Sequence, residues 1–203
     1  MAAYYPGGMV NLTRIYTRTG DAGETRLGDM SLTTKTDPRL QAYAGVDEAN
    51  AHLGVALATG ELDEDVAAVL THIQNDLFDV GADLCTPVVP DPEYPPLRIE
   101  QDYVDRLEGW CDQYNEHLPN LRSFILNGGT PAAAQLHVAR TVVRRAEREA
   151  WAAWSEYASV MNPLAITYLN RLSDLLFILA RYANRELGDV LWVPGGDRAR
   201  PTD

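Results

Sequence analysis

The sequence predicts an all-α fold, an antiparallel five-helix bundle that forms a single domain. Five stretches carry apolar residues at helical spacing, short to medium connections separate them, and no run of residues indicates paired strands. The chain has 203 residues, of which 46% are hydrophobic, and this is enough for one well-packed core. We divide it into an ordered N-terminal loop segment (1–38), the bundle (39–187) and a C-terminal tail (188–203).

The first two helices are predicted over residues 39–59 and 63–85. In both, apolar residues recur every three or four positions, and Gly60 is a stop signal between them. The stretch 87–96 then contains five prolines, each of which fixes its own backbone and lacks an N–H donor. This composition predicts a stiff, extended connection to the next helix.

The third helix is predicted over residues 100–117. The fourth begins at Thr130 and Pro131, because threonine is a good N-cap and proline suits the first helical position. We expect it to reach Tyr157. The fifth covers residues 163–187, with a glycine just beyond its end.

Charge and cysteine content exclude several classes of protein. Acidic residues outnumber basic ones by 29 to 17, giving a net charge of −12. Nucleic acid and membrane surfaces are therefore not expected partners, because both attract basic proteins. Cys85 and Cys111 have neither metal-ligand spacing nor the density of a disulfide framework. No signal peptide or membrane span is expected, since the most apolar stretch (164–180) contains Arg171 and Asp174. We expect a cytoplasmic protein.

The fourth helix carries a cationic face that we call the arginine ladder: Arg140, Arg144 and Arg148. At about 100° per residue, these side chains and Glu147 share one side of the helix. The opposite side holds Val138, Ala139, Val142, Ala146, Ala150 and Ala153. A charged stripe is most often a solvated face with Arg–Glu pairs. The alternative is an anion site, because the guanidinium fork matches phosphate oxygens, and three arginines against one glutamate favour it.

The N-terminal segment offers a complementary loop at residues 17–25, Thr-Arg-Thr-Gly-Asp-Ala-Gly-Glu-Thr. Two glycines allow backbone amides to converge on an anion, three threonine hydroxyls can donate, and Arg18 adds charge. The spacing is not that of a Walker A loop, so a P-loop NTPase is not expected. A simple turn is the alternative. Lys35, the only lysine in the chain, is either a phosphate contact or a chance occurrence.

Two other helices carry polar residues on a shared side. Asp47 and Asn50 are three residues apart on the first helix. An acid facing the bundle at Asp47 needs a partner, for which Arg140 is the obvious source. Asn170 and Asp174 are four residues apart on the last helix, and there the pattern is equally compatible with pairing between helices and with ligand binding.

Together these motifs resemble those of the PduO-type ATP:cob(I)alamin adenosyltransferases, the trimeric helical-bundle family of corrinoid adenosyltransferases. The similarity extends over about residues 13–183, and five segments carry it in the right order: Tyr-Thr-Arg-Thr-Gly-Asp-Ala-Gly (16–23), Val-Asp-Glu-Ala-Asn (46–50), Phe-Ile-Leu-Asn-Gly-Gly-Thr (124–130), Arg-Arg-Ala-Glu-Arg (144–148) and Leu-Asn-Arg-Leu-Ser-Asp (169–174). Two departures are present. Asn127 stands where many relatives have proline, and the proline-rich connection does not align with the family.

The resemblance implies transfer of the 5′-deoxyadenosyl group of ATP to the cobalt of cob(I)alamin, in a homotrimer whose active sites lie between neighbouring subunits. It implies ATP, Mg²⁺ and cobalamin as ligands, with cobalamin bound as Co(II) and Co(I), and no metal site made of side chains. The ATP-binding positions that it implies are Thr17, Arg18, Thr19, Gly20, Asp21, Gly23, Lys35, Arg144, Arg145, Glu147, Arg148 and Asn170.

The resemblance further implies four catalytic positions: Asp47, Phe124, Arg140 and Arg144. Asp47 and Arg140 would form an ion pair beside the corrin, and Phe124 would displace the lower axial base of cobalamin. Taken alone, an aromatic residue in an apolar run such as 123–126 is more often a core residue. A flavin-type or other reductase and an adenosylcobalamin-dependent mutase are implied as partners.

Three alternatives to an adenosyltransferase are compatible with a helical bundle. A non-catalytic carrier of ATP and adenosylcobalamin that delivers the cofactor to a mutase would use the same pocket. A ferritin-like di-iron protein calls for Glu-x-x-His on two helices, and none of the glutamates here has a histidine three residues later. A purely structural bundle would leave the glycine-threonine loop and the arginine ladder without a shared purpose.

Overall fold

The protein is described by a computed structural model over residues 16–92 and 94–197. Its elements are a hairpin of β1 (Glu24–Arg26) and β2 (Leu32–Thr34), and five helices: α1 (Pro38–Thr59), α2 (Glu64–Cys85), α3 (Gln101–Asn115), α4 (Pro131–Tyr157) and α5 (Pro163–Ala183). Short 3-10 turns follow α4 (Ala158–Val160) and close the described chain (Gly195–Asp197). The five-helix prediction is confirmed. The expectation of no paired strands is wrong for the N-terminal segment, where β1 and β2 pair antiparallel.

The helix starts follow from local capping. The Thr130 side chain accepts from Ala133 N at 3.1 Å and Pro131 follows it, so α4 begins where the sequence predicts and ends at Tyr157. Asp37 caps α1 by accepting from Arg39 N at 2.8 Å. These side chains satisfy N–H groups that the first helical turn leaves without an internal partner.

The fifth helix is shorter than predicted, because its end is fixed by a contact with the start of α4. It stops at Ala183, and Asn184 is its C-cap. The Asn184 side chain accepts from Thr130 N and donates to Gly128 O, both at 2.8 Å. This bonding holds residue 184 outside the helix, so the predicted extension to residue 187 is wrong.

Helices α1 and α4 pack closely against each other and run antiparallel. A methyl group at Gly45 would lie 3.0 Å from the Ala146 Cβ, and one at Gly60 would lie 2.8 Å from the Ala132 Cβ. The glycines and alanines thus allow the two backbones to approach. Helix α4 also packs on α5, α1 on α2, and α3 on α5.

Helix α5 is the most apolar element of the bundle. Among the described residues it alone is long and apolar enough to cross a membrane by length and composition, and 56% of its most apolar window is buried inside the protein. Its side chains fill the centre of the core, including Leu169, Leu172, Leu176 and Leu179. Burial against α3 and α4 accounts for this composition.

A buried carboxylate at the end of α2 joins the two ends of the proline-rich connection. Asp83 accepts from Arg98 Nη1 at 2.6 Å, Ile99 N at 2.7 Å and Asn162 Nδ2 at 2.6 Å. Arg98 also donates to Thr86 O at 2.6 Å. The residues that follow α2 are therefore held firmly against the bundle.

Candidate functional site

The arginine ladder lies on the outer side of α4, as predicted. Arg144 and Arg148 are exposed and Arg140 is half-buried, whereas the predicted apolar side is buried at Ala139, Val142, Ala146, Ala150 and Ala153. Val138 differs from this prediction because it is 41% exposed. The helix thus presents its guanidinium groups away from the core.

Arg140 has the most constrained environment in the ladder. Its Nη2 donates to Asn127 Oδ1 at 3.2 Å, and its Cζ lies 5.8 Å from the ring centroid of Phe177. Burial lowers the pKa of Arg140, and the positive charge of Arg144 lowers it further. The buried Nε atom of Arg140 has no hydrogen-bond partner.

The ladder differs from its neighbours in having no acidic partner. Arg145 pairs with Glu48 on α1 and lies 3.9 Å from Glu149, so it behaves as a solvated-face residue. Within residues 16–92 and 94–197, the ion pairs include none for Arg140, Arg144 or Arg148. Arg144 and Arg148, which are exposed, therefore keep their charge available to an anion, whereas Arg140 is partly buried and bonds to Asn127.

Glu147 and Asn170 meet each other across the α4–α5 contact. Asn170 Nδ2 donates to Glu147 Oε1 at 3.1 Å. The structure thus brings together two of the residues that the resemblance implies for ATP, beside Arg144 and Arg148 of the same helix. Asp174 is paired elsewhere, with Arg171 Nη1 at 3.1 Å.

The predicted anion-binding residues 17–23, which we call the anion loop, are folded back on themselves before β1. Thr17 Oγ1 and Thr19 Oγ1 are 2.9 Å apart, and Gly23 N donates to Gly20 O at 3.2 Å. The φ angle of Gly23 is 86°, in the region that favours glycine. The loop, including Arg18 and Asp21, is largely exposed.

Lys35 joins the anion loop through the hairpin. Its backbone N donates to Gly23 O at 2.8 Å, and a methyl group at Gly20 would lie 3.0 Å from its Nζ. Lys35 and the loop therefore form one cationic unit. No hydrogen bond or ion pair joins this unit to the arginine ladder among the described residues of one chain.

Asp47 and Arg140 form no ion pair among the residues that the structure describes. Gly45 lies opposite Ala146 in the antiparallel α1–α4 contact, so Asp47 lies near the level of Arg144, and Arg140 is about 6 Å further along the helix axis. Asp47 is exposed, and not turned to the bundle as the sequence suggested. Its neighbour Asn50 is buried and bonds to Gln74 of α2, accepting from Nε2 at 2.9 Å.

Phe124 is exposed over 79% of its surface, so the interpretation of this residue as part of the core is wrong. Its ring stands edge-on to that of Trp192, with centroids 6.2 Å apart. The two segments also pair through their backbones: Trp192 N donates to Phe124 O and Leu126 N to Val190 O, both at 2.8 Å. An exposed apolar patch results, formed by Phe124, Leu126, Val190 and Trp192, and the alternate tail residues Leu191 and Val193 are also exposed.

The sequence alone assigns no role to the tail residues that complete this patch. The apolar run Leu191-Trp-Val-Pro in an otherwise polar tail was the available signal. Sequence reasoning also missed the cavity of about 110 Å³ that Asn127, Asn184 and Asp189 help to line, and His137, which is buried beside Phe177 with neither ring nitrogen bonded.

Asn127 uses its side chain in a way that proline cannot. It accepts from Arg140, while Gly128 and Gly129 adopt φ angles of 156° and 104°. A methyl group at Gly129 would lie 2.1 Å from Asn184 Oδ1. The turn therefore requires glycine at 129, and the departure at Asn127 adds a contact between the Phe124 segment and the ladder.

These features define a class of protein: a helical bundle whose outward-facing ladder arginines have no acidic partner among the described residues, with exposed aromatic residues on the segment just before the same helix. Among the described residues, no three His, Cys, Asp or Glu side chains cluster as metal ligands. The family model for cobalamin adenosyltransferase matches residues 15–183, and the chain belongs to this family.

Individual relatives agree with this assignment. The chain is 65% identical over 189 residues to a corrinoid adenosyltransferase of Mycobacterium tuberculosis, covering 93% of this chain and 97% of the relative. It is 40% identical over 182 residues to a corrinoid adenosyltransferase of Bacillus subtilis, covering 87% and 91%. The structure resembles that of a variant PduO-type ATP:corrinoid adenosyltransferase from Lactobacillus reuteri complexed with cobalamin and ATP, with a TM-score of 0.81, 38% identity, and coverage of 88% of this chain and 99% of that one.

Proposed function

We propose that this protein transfers the 5′-deoxyadenosyl group of ATP to the cobalt of cob(I)alamin and releases triphosphate. The observation that carries the proposal is the pair of exposed guanidinium groups, Arg144 and Arg148, that face outward without a carboxylate partner in the described chain. Relatives of known chemistry support it, since a solved neighbour at 38% identity is complexed with cobalamin and ATP.

The reaction needs little covalent chemistry from the protein. The electron pair of Co(I) attacks C5′ of ATP, the Co–C bond forms, and the C5′–O bond breaks as its electrons leave with triphosphate. Cobalt is thereby oxidised from Co(I) to Co(III). The side chains therefore have two tasks: to align C5′ with cobalt, and to stabilise the negative charge of the leaving triphosphate.

The arginines and the anion loop suit the second task. Arg144 and Arg148 would contact phosphate oxygens through charge-assisted hydrogen bonds, while Lys35 and the backbone amides of the anion loop would contact them from the other side. Asn170 fixes the Glu147 carboxylate at 3.1 Å, which keeps that acid in a defined position next to the ladder.

Mg²⁺ would arrive bound to ATP. This ion usually keeps several waters and binds through substrate phosphates and one or two carboxylates, not through an all-protein cage. Asp21 in the anion loop and Glu147 beside Arg148 are acids close to the proposed phosphate contacts, and they would supply the remaining ligands directly or through water.

The apolar patch suits the lower face of the corrin. Phe124 is exposed beside Trp192. Its ring can therefore occupy the position of the lower axial base without any rearrangement of the core. Removal of that ligand leaves a four-coordinate Co(II) that is easier to reduce, because axial ligands set the potential of such a cofactor. A reductase of flavin type, or another reductant, would supply the electron.

We further propose a homotrimer with active sites between subunits. Asp47 and Arg140 lie at different levels of the α1–α4 contact and do not pair within one chain. The loop–lysine unit and the ladder are likewise not joined by hydrogen bonds or ion pairs in the described chain. Both observations are explained if the second half of each site comes from a neighbouring copy. A cytoplasmic location, with an adenosylcobalamin-dependent mutase receiving the product, belongs to the same proposal.

Turnover with chemically reduced cobalamin, ATP and Mg²⁺ tests the function. We expect the absorbance spectrum of adenosylcobalamin to replace that of cob(I)alamin, with each site forming many molecules of product. A carrier would bind both ligands without such turnover, and no spectral change over the rate of a protein-free control would refute the proposal. Arg122→Ala, an exposed arginine outside the ladder, is the matched control for arginine variants.

A further inference from the structure

The tip of the β1–β2 hairpin lies against the end of α2. The Gly28 N–H donates to the carbonyl of Cys85, the last residue of that helix, at 2.9 Å. A methyl group at Gly28 would lie 2.0 Å from Thr86 Oγ1 and 3.1 Å from the Thr86 Cβ. The backbone of Gly28 is not in the positive-φ region. Glycine is therefore required here by the close approach of Thr86 and not by backbone conformation.

The backbone on both sides of this contact is held by hydrogen bonds. On the hairpin side, Leu27 N donates to Ser31 O at 2.9 Å and Met30 N to Leu27 O at 3.0 Å, so the turn is a bonded unit. On the bundle side, the carbonyl of Thr86 accepts from Arg98 at 2.6 Å. A larger residue at 28 would meet Thr86 Oγ1 and press the tip away from α2.

The hairpin connects this contact directly to the anion loop. Strand β1 begins at Glu24, immediately after Gly23, and β2 ends at Thr34, immediately before Lys35. Glu24 pairs with Thr34 in the ladder. A displacement at the tip is thus transmitted over three residue pairs to both halves of the cationic unit.

The base of the hairpin has a separate attachment. Asp37 accepts from the Thr33 hydroxyl at 2.6 Å and from the Tyr157 hydroxyl at 3.1 Å. The hairpin is therefore held at two points, and loss of the tip contact leaves one attachment and the helix packing in place. Its effect should appear in the position of the loop and not in the folding of the bundle.

We propose that Gly28 is a positioning residue for ATP: its contact with Thr86 and Cys85 docks the hairpin on α2 and so holds the anion loop and Lys35 where the triphosphate binds. The inference rests on the proposed function and deepens it. Gly28 itself touches no substrate, and its effect is exerted through the loop.

The test replaces Gly28 by alanine, and a second substitution at Thr86 then removes the atom that the new methyl group meets. In Gly28→Ala we expect the KM for ATP to rise about tenfold, or about 1.4 kcal/mol. The kcat at saturating ATP, the KM for cobalamin and the Tm should stay close to wild type. The double variant Gly28→Ala/Thr86→Ala removes Oγ1, and we expect it to recover most of the ATP affinity, because the remaining contact is 3.1 Å.

Two further variants complete the test. Thr86→Leu adds bulk to the same contact from the α2 side and should raise the KM for ATP as Gly28→Ala does, which keeps the proposal testable if Gly28→Ala fails to fold. Gly81→Ala is the matched control, because a methyl group there meets nothing within 4 Å. Its ATP affinity should equal that of the wild type.

An unchanged KM for ATP in folded Gly28→Ala would overturn the proposal. So would a lowered Tm together with a loss of kcat that Thr86→Ala does not restore, since that result describes a folding defect. If the wild type makes no adenosylcobalamin, the proposed function fails, and titration calorimetry with MgATP then tests Gly28 separately. In that case a Kd for MgATP equal to that of the wild type refutes the positioning role.

Discussion

Removal of the Phe124 ring separates a role in cobalt coordination from a role in packing. We expect Phe124→Ala to fold, to bind ATP as the wild type does, and to lose activity mainly when the assay begins from Co(II) with a reductant. Activity that begins from pre-reduced Co(I) should be largely recovered, because reduction is the step that needs the lower ligand removed.

The expected stability change follows from the exposure of the side chain. Phe124 is 79% exposed, so only about 40 Å² of a side chain of about 200 Å² is covered by the rest of the protein. At about 25 cal/mol per Å², loss of this burial lowers the free energy of unfolding by about 1 kcal/mol. Loss of the edge-on contact with Trp192 adds about 0.5 to 1.5 kcal/mol. A buried phenylalanine would instead cost about 3 to 5 kcal/mol. For a chain of this size, each kcal/mol corresponds to about 2 to 4 °C in Tm.

The assay compares rates from the two oxidation states in one preparation, alongside a thermal melt. Phe78→Ala is the control, because Phe78 is similarly exposed, at 70%, but lies on α2 and not in the apolar patch. Its ratio of Co(II) to Co(I) activity should match that of the wild type. The coordination role would be refuted if Phe124→Ala lost activity equally from both oxidation states and its Tm fell by as much as expected for a core substitution.

Three further predictions follow from the ladder and its surroundings. Arg144→Ala should retain the far-UV circular dichroism of the wild type but lose most of kcat/KM, and near-normal kcat/KM would make the ladder a solvated face. Asp47→Ala and Arg140→Ala should each be nearly inactive, yet co-expressed chains should recover about a quarter of the sites if the pair forms between copies; no recovery would contradict that arrangement. Burial first, and then Arg140, lower the pKa of His137, so the unfolded state binds more protons and the Tm should fall as pH decreases below about 6.5. His137→Gln should flatten this dependence, and an equally steep profile in that variant would exclude His137 as its source.

The helices and their starts could be predicted because their causes are local. Helical periodicity depends on residues three and four apart, and Thr130 bonds to Ala133 within the first turn of its own helix. The chemical character of the site was also local: glycines, threonines and arginines at set spacing indicate anion binding whatever packs around them.

Contacts between distant segments decided the remaining features. The end of α5 depends on Asn184 bonding to Thr130 and Gly128 of another segment. The hairpin was missed because three-residue strands have too few positions to show alternation. Its attachment at Gly28 depends on Thr86, which lies far along the chain.

Whether each functional side chain is free to act was settled by the tertiary structure alone. Residues 144 and 145 are adjacent arginines that the sequence does not distinguish. Glu48 of α1 nevertheless pairs with Arg145 and leaves Arg144 without an acidic partner among the described residues. Phe124 lies in an apolar run that suggested burial, but pairing with the tail holds its ring at the surface. Residue type and spacing specify which interactions a side chain can make. Its exposure and its partners are properties of the assembled chain, because they depend on which distant residues the packing brings beside it.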